Sequence, residues 1–242
     1  GTGEVEKITD LVNIFDAGTW QVTRTWKSSS PQRIRWSADS QHLAWGITSP
    51  SGGPYVMTIK SPEVRRFHGH TESVYGVAWS ADGKYLASNG MDKTVRIWDS
   101  ATKTSVAVLD GFPSDKLQMM WEPQGRLLIL SGDGQELRIW DSAHGEKSLP
   151  VPAMEGGTTA AWSPYGEQLA VGFKSGECVV YRTTDWSLVS QCTGHVGAIN
   201  EIAWHPQGNR FATAGADHLA KLWDSASGSC LETLRGHQQS VT

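Results

Sequence analysis

Cysteine is scarce in this chain: Cys178, Cys192 and Cys230 are the three among 242 residues, and none falls in a CxxC spacing. An odd count without paired spacing indicates neither a disulfide framework nor a thiolate zinc site, and a reducing, cytoplasmic setting fits it best. Long apolar runs are missing too, and with a mean hydropathy of −0.36 no transmembrane helix is expected. Charge of one sign is nowhere concentrated, the net charge being −4 and the longest Lys/Arg cluster Arg65-Arg66. Such a chain has no general attraction for a phosphate backbone or an anionic lipid surface, so neither nucleic acid nor membrane is expected as a partner. Gly1-Thr2-Gly3 begins no charged and apolar leader pattern and reads as a cut end.

Catalytic signatures are equally thin. No GxSxG elbow is present. The Gly-rich stretch Ser49-Pro50-Ser51-Gly52-Gly53-Pro54 leads into Tyr55-Val56-Met57-Thr58-Ile59, a strand pattern. A phosphate cradle needs a helix N-terminus or an equivalent nest after the loop, so this is read as an extended hairpin loop. His68-Gly69-His70 has metal-like spacing but no carboxylate or thiol beside it in sequence, and neither metal nor cofactor is expected.

What the chain does have is tryptophan at a fixed period. Trp36, Trp79, Trp121, Trp162 and Trp204 follow one another at 43, 42, 41 and 42 residues, each closing a short apolar run. A second series, Phe15, Ile59, Trp98, Trp140, Tyr181 and Trp223, ends β-rich stretches, its last three steps being 42, 41 and 42. Between the two series the text repeats, as in Ala78-Trp79-Ser80-Ala81-Asp82-Gly83, Ala161-Trp162-Ser163-Pro164-Tyr165-Gly166 and Ala203-Trp204-His205-Pro206-Gln207-Gly208. Each is an apolar strand running into a turn, and a period near 42 marks a repeat architecture.

The clearest unit predicts four strands, over 73–80, 85–89, 94–100 and 105–109, which make one antiparallel sheet. Val95 and Ile97 alternate with Thr94, Arg96 and Trp98, so large side chains stand on both faces. A sheet this small cannot bury both faces alone; it must stack on its neighbours, and a series of such sheets curls into a β-propeller. Turns after the third strands repeat as Asp16-Ala17-Gly18-Thr19, Asp99-Ser100-Ala101-Thr102, Asp141-Ser142-Ala143-His144-Gly145 and Asp224-Ser225-Ala226-Ser227-Gly228, where Asp and Ser are turn formers. The expected fold is all-β, with five complete blades at 28–68, 69–110, 111–152, 153–193 and 194–235, a partial blade at 1–27 and the start of another at 236–242. A parent chain continuing past Thr242 and a ring of six or seven blades are expected.

Gly69-His70 opening a unit and Ile97-Trp98-Asp99 closing it, then Gly194-His195 with Leu222-Trp223-Asp224, resemble the WD-repeat β-propeller family over essentially the whole chain. The resemblance implies structural tetrads of His, Ser or Thr, Asp and Trp, at His70, Ser88, Asp92 and Trp98 and at His195, Thr213, Asp217 and Trp223. These contain the residue types of a hydrolytic triad, but their duplication and mid-strand hydroxyls favour a buried polar chain over a nucleophile. The unit ending at Trp140 has Phe112, Leu130 and Gly134 at the matching positions, that ending at Tyr181 has Ala153, Val171 and Ser175, and Lys27 falls where the His of the Ile59 unit would be. Apolar packing is expected to hold those units.

The family binds proteins mainly where loops leading into the first strands surround the central channel. Residue by residue this implies Ser73, Tyr75, Met91, Lys93, Leu117, Asp133, Gln135, Thr158, Lys174, Asn200 and His218 as candidate partner-binding positions. Trp20 and Trp186, just after third-strand turns, pack on the rim or serve as exposed anchors. The expected function is a non-catalytic scaffold for a protein or peptide. The alternatives are a regulatory or sensor module fused to a kinase or signalling NTPase, and, ranked below it, a propeller-based hydrolase.

Overall fold

The computed structural model describes residues 10–28, 30–48, 53–61, 63–112, 115, 117–131, 137–141, 145–148 and 156–241. The chain divides into two compact units, Gly1–Gly111 and Phe112–Thr242. The first holds a hairpin of β1 (Asp10–Phe15) and β2 (Val22–Ser28) and two four-stranded sheets. One sheet runs through β3 (Pro31–Trp36), β4 (His42–Ile47), β5 (Tyr55–Thr58) and β6 (Val64–Arg66). The other runs through β7 (Val74–Trp79), β8 (Tyr85–Gly90), β9 (Val95–Asp99) and β10 (Ser105–Leu109).

The second unit holds three four-stranded sheets. They are β11 (Leu117–Trp121), β12 (Arg126–Ser131), β13 (Leu137–Asp141) and β14 (Gly145–Ser148); β15 (Gly157–Trp162), β16 (Gln168–Phe173), β17 (Cys178–Arg182) and β18 (Leu188–Cys192); and β19 (Ile199–Trp204), β20 (Arg210–Gly215), β21 (Ala220–Asp224) and β22 (Cys230–Leu234). Within each sheet every strand pairs antiparallel with the next, and no helix occurs among the described residues. These are β-propeller blades, five of them complete. In the second blade β7 and β9 begin and end a residue inside the expected spans, β8 runs one residue further and β10 matches. The flanks of β7 and β9 belong to turns, Ser73 offering its carbonyl to Met91 N at 2.8 Å and Ser100 N donating to Lys84 O at 2.9 Å.

Burial follows stacking. The second strands β4, β8, β12 and β16 are each buried over five consecutive residues, as expected for strands covered on both faces. In β20 burial alternates instead, leaving Ala212 and Ala214 on a half-open face. Within the first unit, Val12 of the hairpin packs with Leu43, Trp45, Ile47 and Met57, and Ala44, Val56 and Phe67 meet Val74, Leu86 and Trp98. Within the second, Leu128, Leu130 and Ile139 meet Leu169, Val171 and Tyr181, while Ala170, Cys178 and Val180 meet Ile199, Phe211 and Trp223. Each such large side chain contributes roughly 1.5–3 kcal/mol by leaving water.

The tryptophan period has a hydrogen-bonding cause. Trp204 Nε1 donates to Ala161 O at 3.0 Å, and Trp162 Nε1 to Met120 O at 3.1 Å, so each indole reaches the residue preceding the tryptophan one repeat earlier. Trp79 departs from this: its buried indole N–H has no acceptor among the described residues. The matching acceptor position, Arg35, lies where the register of β3 shifts between Gln32 and Arg35, and Arg33 there has φ of 39°. Turns joining first and second strands close by i to i+3 bonds with positive φ at Gly83, Gly125, Gly166 and Gly208, and at Ser40 in the first blade. Glycine at four of these five positions removes the steric cost of that conformation.

Candidate functional site

Asp16, Asp99 and Asp224 begin turns that shape one end of their sheets. Asp16 Oδ1 accepts from Gly18 N at 3.0 Å and Thr19 N at 2.8 Å, Asp99 Oδ1 from Ala101 N at 3.0 Å and Thr102 N at 2.8 Å, and Asp224 Oδ1 from Ser227 N at 2.9 Å. Backbone N–H donation, from Thr19, Thr102 and Ser227 respectively, holds all three carboxyls below the ordinary range. The residue completing each turn is left-handed: Trp20 at 57°, Lys103 at 63°, Trp186 at 58° and Gly228 at 70°.

At the other end of the second blade a polar chain is buried. Both oxygens of Asp92 lie within 3.1 Å of His70 Nδ1, His70 Nε2 lies 2.8 Å from Ser88 Oγ, and Trp98 Nε1 donates to the same Oγ at 2.8 Å. With Nδ1–H donated to the carboxylate, Nε2 accepts the Ser88 hydroxyl and every member is paired. Asp92 also accepts from Thr71 N, Thr94 N and Thr94 Oγ1, which ties the loop opening the blade to the turn between β8 and β9. Burial lowers His70 despite the opposing pull of Asp92; burial opposes ionisation of Asp92, but His70 and the Thr94 hydroxyl outweigh it and hold that carboxyl low.

The last blade repeats the arrangement. Asp217 meets His195 Nδ1 at 2.9 Å through each oxygen, His195 Nε2 lies 2.7 Å from Thr213 Oγ1, and Trp223 Nε1 donates to that oxygen at 2.8 Å. Asp217 also takes Val196 N and Leu219 N, and these donors with His195 lower its carboxyl against the effect of burial. Ser88 and Thr213 are buried and already occupied by an imidazole and an indole. An oxygen so enclosed has no open side for a substrate carbonyl, which a nucleophile requires.

In the remaining blades of the second unit other contacts stand at these places. Phe112, at the His position, is buried beneath the Arg138 guanidinium, 4.2 Å from its ring centre. Gly134 and Ala153 lie outside the described residues. Polar and cationic contacts also hold these blades, so apolar packing alone is an incomplete account. Arg126 forms a two-pronged ion pair with the fully buried Glu122, donates to Thr183 O at 3.1 Å, and lies 5.3 and 5.9 Å from the Trp162 and Trp186 ring centres. The sequence carries a signal for this clamp: Glu122 stands where Ser37, Ser80, Ser163 and His205 open the other turns, four residues before an arginine.

In three of the sheets the opening loop and the second turn share one end. Met91 N bonds Ser73 O at 2.8 Å, Lys174 N bonds Gly156 O at 2.7 Å, and Ala216 N bonds Ala198 O at 2.8 Å. Met91, Lys93, Lys174 and His218 are exposed there, with Tyr75 and Leu117 half-buried. Three candidates are committed to the fold instead: Ser73 is buried, Thr158 Oγ1 bonds the Gly172 and Ile199 carbonyls, and Asn200 Nδ2 bonds Ser240 Oγ and Val241 O at 2.8 Å each. Asp133 and Gln135 lie outside the described residues. The two rim tryptophans differ: Trp20 is 77% exposed, whereas Trp186 is half-buried under the Arg126 clamp.

No group of three or more His, Cys, Asp or Glu residues suited to a metal ion occurs among the described residues, and no helix there is long and apolar enough to cross a membrane. A family model described as the WDR19 first beta-propeller matches residues 75–241. Small ribosomal subunit protein RACK1y of Oryza sativa subsp. japonica is 32% identical over 220 residues, covering 85% of this chain and 66% of that protein. Eukaryotic translation initiation factor 3 subunit I of Xenopus tropicalis is 26% identical, over 74% of this chain and 58% of its own. Among curated relatives the chain thus spans roughly half to two thirds of the partner's length, down to 49% in one case. Among solved structures, the computationally designed Ika8 protein superposes with a TM-score of 0.80 at 21% identity, covering 95% of this chain and 70% of that one, a likeness of fold alone.

Proposed function

Because this chain belongs to the WD-repeat β-propeller family, we propose that it is a non-catalytic scaffold that holds a protein or peptide at the end of the blades where opening loops meet second turns. The observation that carries this reading is the pinning of those loops: Asp92 and Asp217 each tie an opening loop to a turn through several hydrogen bonds. A loop fixed in this way binds without a large ordering cost, and the exposed Met91 with Lys93 offers an apolar contact edged by charge. The enclosed hydroxyls of Ser88 and Thr213 weigh against a hydrolase. Relatives named as subunits of an initiation factor and of the small ribosomal subunit support a place within a larger protein assembly. Three free cysteines fit a reducing, cytoplasmic compartment.

The test is affinity capture with the wild-type chain and with Tyr75, Met91 and Lys93 all changed to alanine, circular dichroism establishing that both are folded. A Lys84/Lys103 double alanine variant, altered at the opposite end of the same blade, is the control. Proteins captured by wild type and control but lost from the triple variant support the reading. Unchanged capture by the triple variant overturns it for this blade.

A further inference from the structure

The sheet β15–β18 has Val171 and Ser175 at hydroxyl and carboxylate positions of the tetrad, yet it holds two of the three cysteines. Cys178 opens β17, Cys192 closes β18, and the two are direct cross-strand partners. Opposed residues of an antiparallel pair project from the same face with Cα atoms about 4.5–5.5 Å apart. A disulfide spans about 4.4–6.8 Å between Cα atoms, so this register meets the requirement. Both thiols are buried in one core cluster with Val180, Ile199 and Trp223. The neighbouring Cys192 thiol, and then burial, raises Cys178, and the neighbouring Cys178 thiol lowers Cys192. Cys230 lies apart, exposed on β22 with its thiol 3.4 Å from Glu232 O.

We propose that Cys178 and Cys192 are a redox-responsive dithiol, which a peroxide-class oxidant converts into a disulfide joining β17 to β18. The Cys192 thiolate attacks one peroxide oxygen, breaking the O–O bond and leaving a sulfenic acid while the second oxygen departs as water. The Cys178 thiolate then attacks the sulfenic sulfur, forming the S–S bond and expelling hydroxide, which leaves as a second water with a thiol proton. Two thiols and one hydrogen peroxide thus give one disulfide and two waters. Access comes from local opening of β18, the outermost strand of its sheet, which is the kind of element that opens first. The bond matters for the neighbouring sheet as well. Ser190 on β18 donates its hydroxyl to Ser225 O at 2.7 Å, so fixing β18 to β17 stiffens that junction in a blade lacking the polar chain of its neighbour.

The experiment treats the full chain, first reduced, with hydrogen peroxide, then blocks free thiols and reads intact mass, non-reduced peptide maps and amide exchange. The expected product has lost two hydrogens and yields linked peptides containing Cys178 and Cys192, in wild type and in Cys230→Ser alike. Dithiothreitol restores both thiols, and β18 amides exchange about tenfold more slowly in the oxidised form. Cys192→Ser must eliminate this product; if that variant fails to fold, the wild-type and Cys230→Ser maps decide alone. Links that involve Cys230, or oxidation of Cys230 with Cys178 and Cys192 still free to be blocked, overturn the proposal.

Discussion

Two blades of the second unit solve one mechanical problem differently. In the last blade a chain of hydrogen bonds runs from Asp217 through His195 and Thr213 to Trp223, all within one sheet and its opening loop. In the blade from β11 to β14 the buried Glu122 carboxylate instead grips Arg126, which reaches the carbonyls of Gly166 and Thr183 in the following blade. The first device stiffens a blade internally and fixes a loop; the second joins a blade to its neighbour. A repeat can therefore lose its tetrad without losing rigidity, provided another desolvated polar contact appears where packing can shield it.

The largest effect should come from removing the aromatic end of the polar chain. Trp223 is 1% exposed and closes a core cluster, so Trp223→Ala should cost on the order of 3–5 kcal/mol, read as a lowered denaturant midpoint. A negligible shift would show that its neighbours close the gap.

A somewhat smaller loss is expected at the clamp, where the direction of a second change sharpens the contrast. Arg126→Met leaves the Glu122 carboxylate buried without its partner and should cost about 3 kcal/mol, whereas Arg126→Met with Glu122→Leu should recover most of that loss. Equal losses in single and double variants, by equilibrium unfolding, would mean that Arg126 acts through its stacking on Trp162 and Trp186 rather than through charge.

The smallest effect concerns protons. Burial holds His70 below the ordinary imidazole range, so the unfolded chain binds a proton that the folded chain refuses. Stability from this site is complete above about pH 6.5 and declines as pH falls below it toward the depressed folded value. His70→Gln should cost about 1–3 kcal/mol at neutral pH and flatten the decline between pH 7 and 5. An unchanged pH slope in the variant would assign the titration to other groups.

Much of the fold was legible because repeats force the same solution five times. The period, the Asp turns and the glycines of the first turns are local chemistry, and each can be read from adjacent residues. Phe15 and Trp36 show the limit: both fall in register, yet they are 52% and 46% exposed. Register does not say whether a neighbouring sheet covers a position. Among candidate binding residues, the family resemblance implied Met91 and Ser73 alike, but Ser73 is buried beside the turn that leaves Met91 exposed.

By itself the sequence determined the strand order and the turn-forming residues, because these depend on spacing within some forty residues, and its family resemblance implied which residues form the buried polar chains. Tertiary structure alone decided which polar side chains were already spent. Thr158 and Asn200 bond carbonyls about forty residues away, Arg126 bonds one fifty-seven residues on, and Cys178 and Cys192 become partners through strand register. Contacts of that kind depend on how one sheet is laid against the next, a packing choice that no local run of residues encodes.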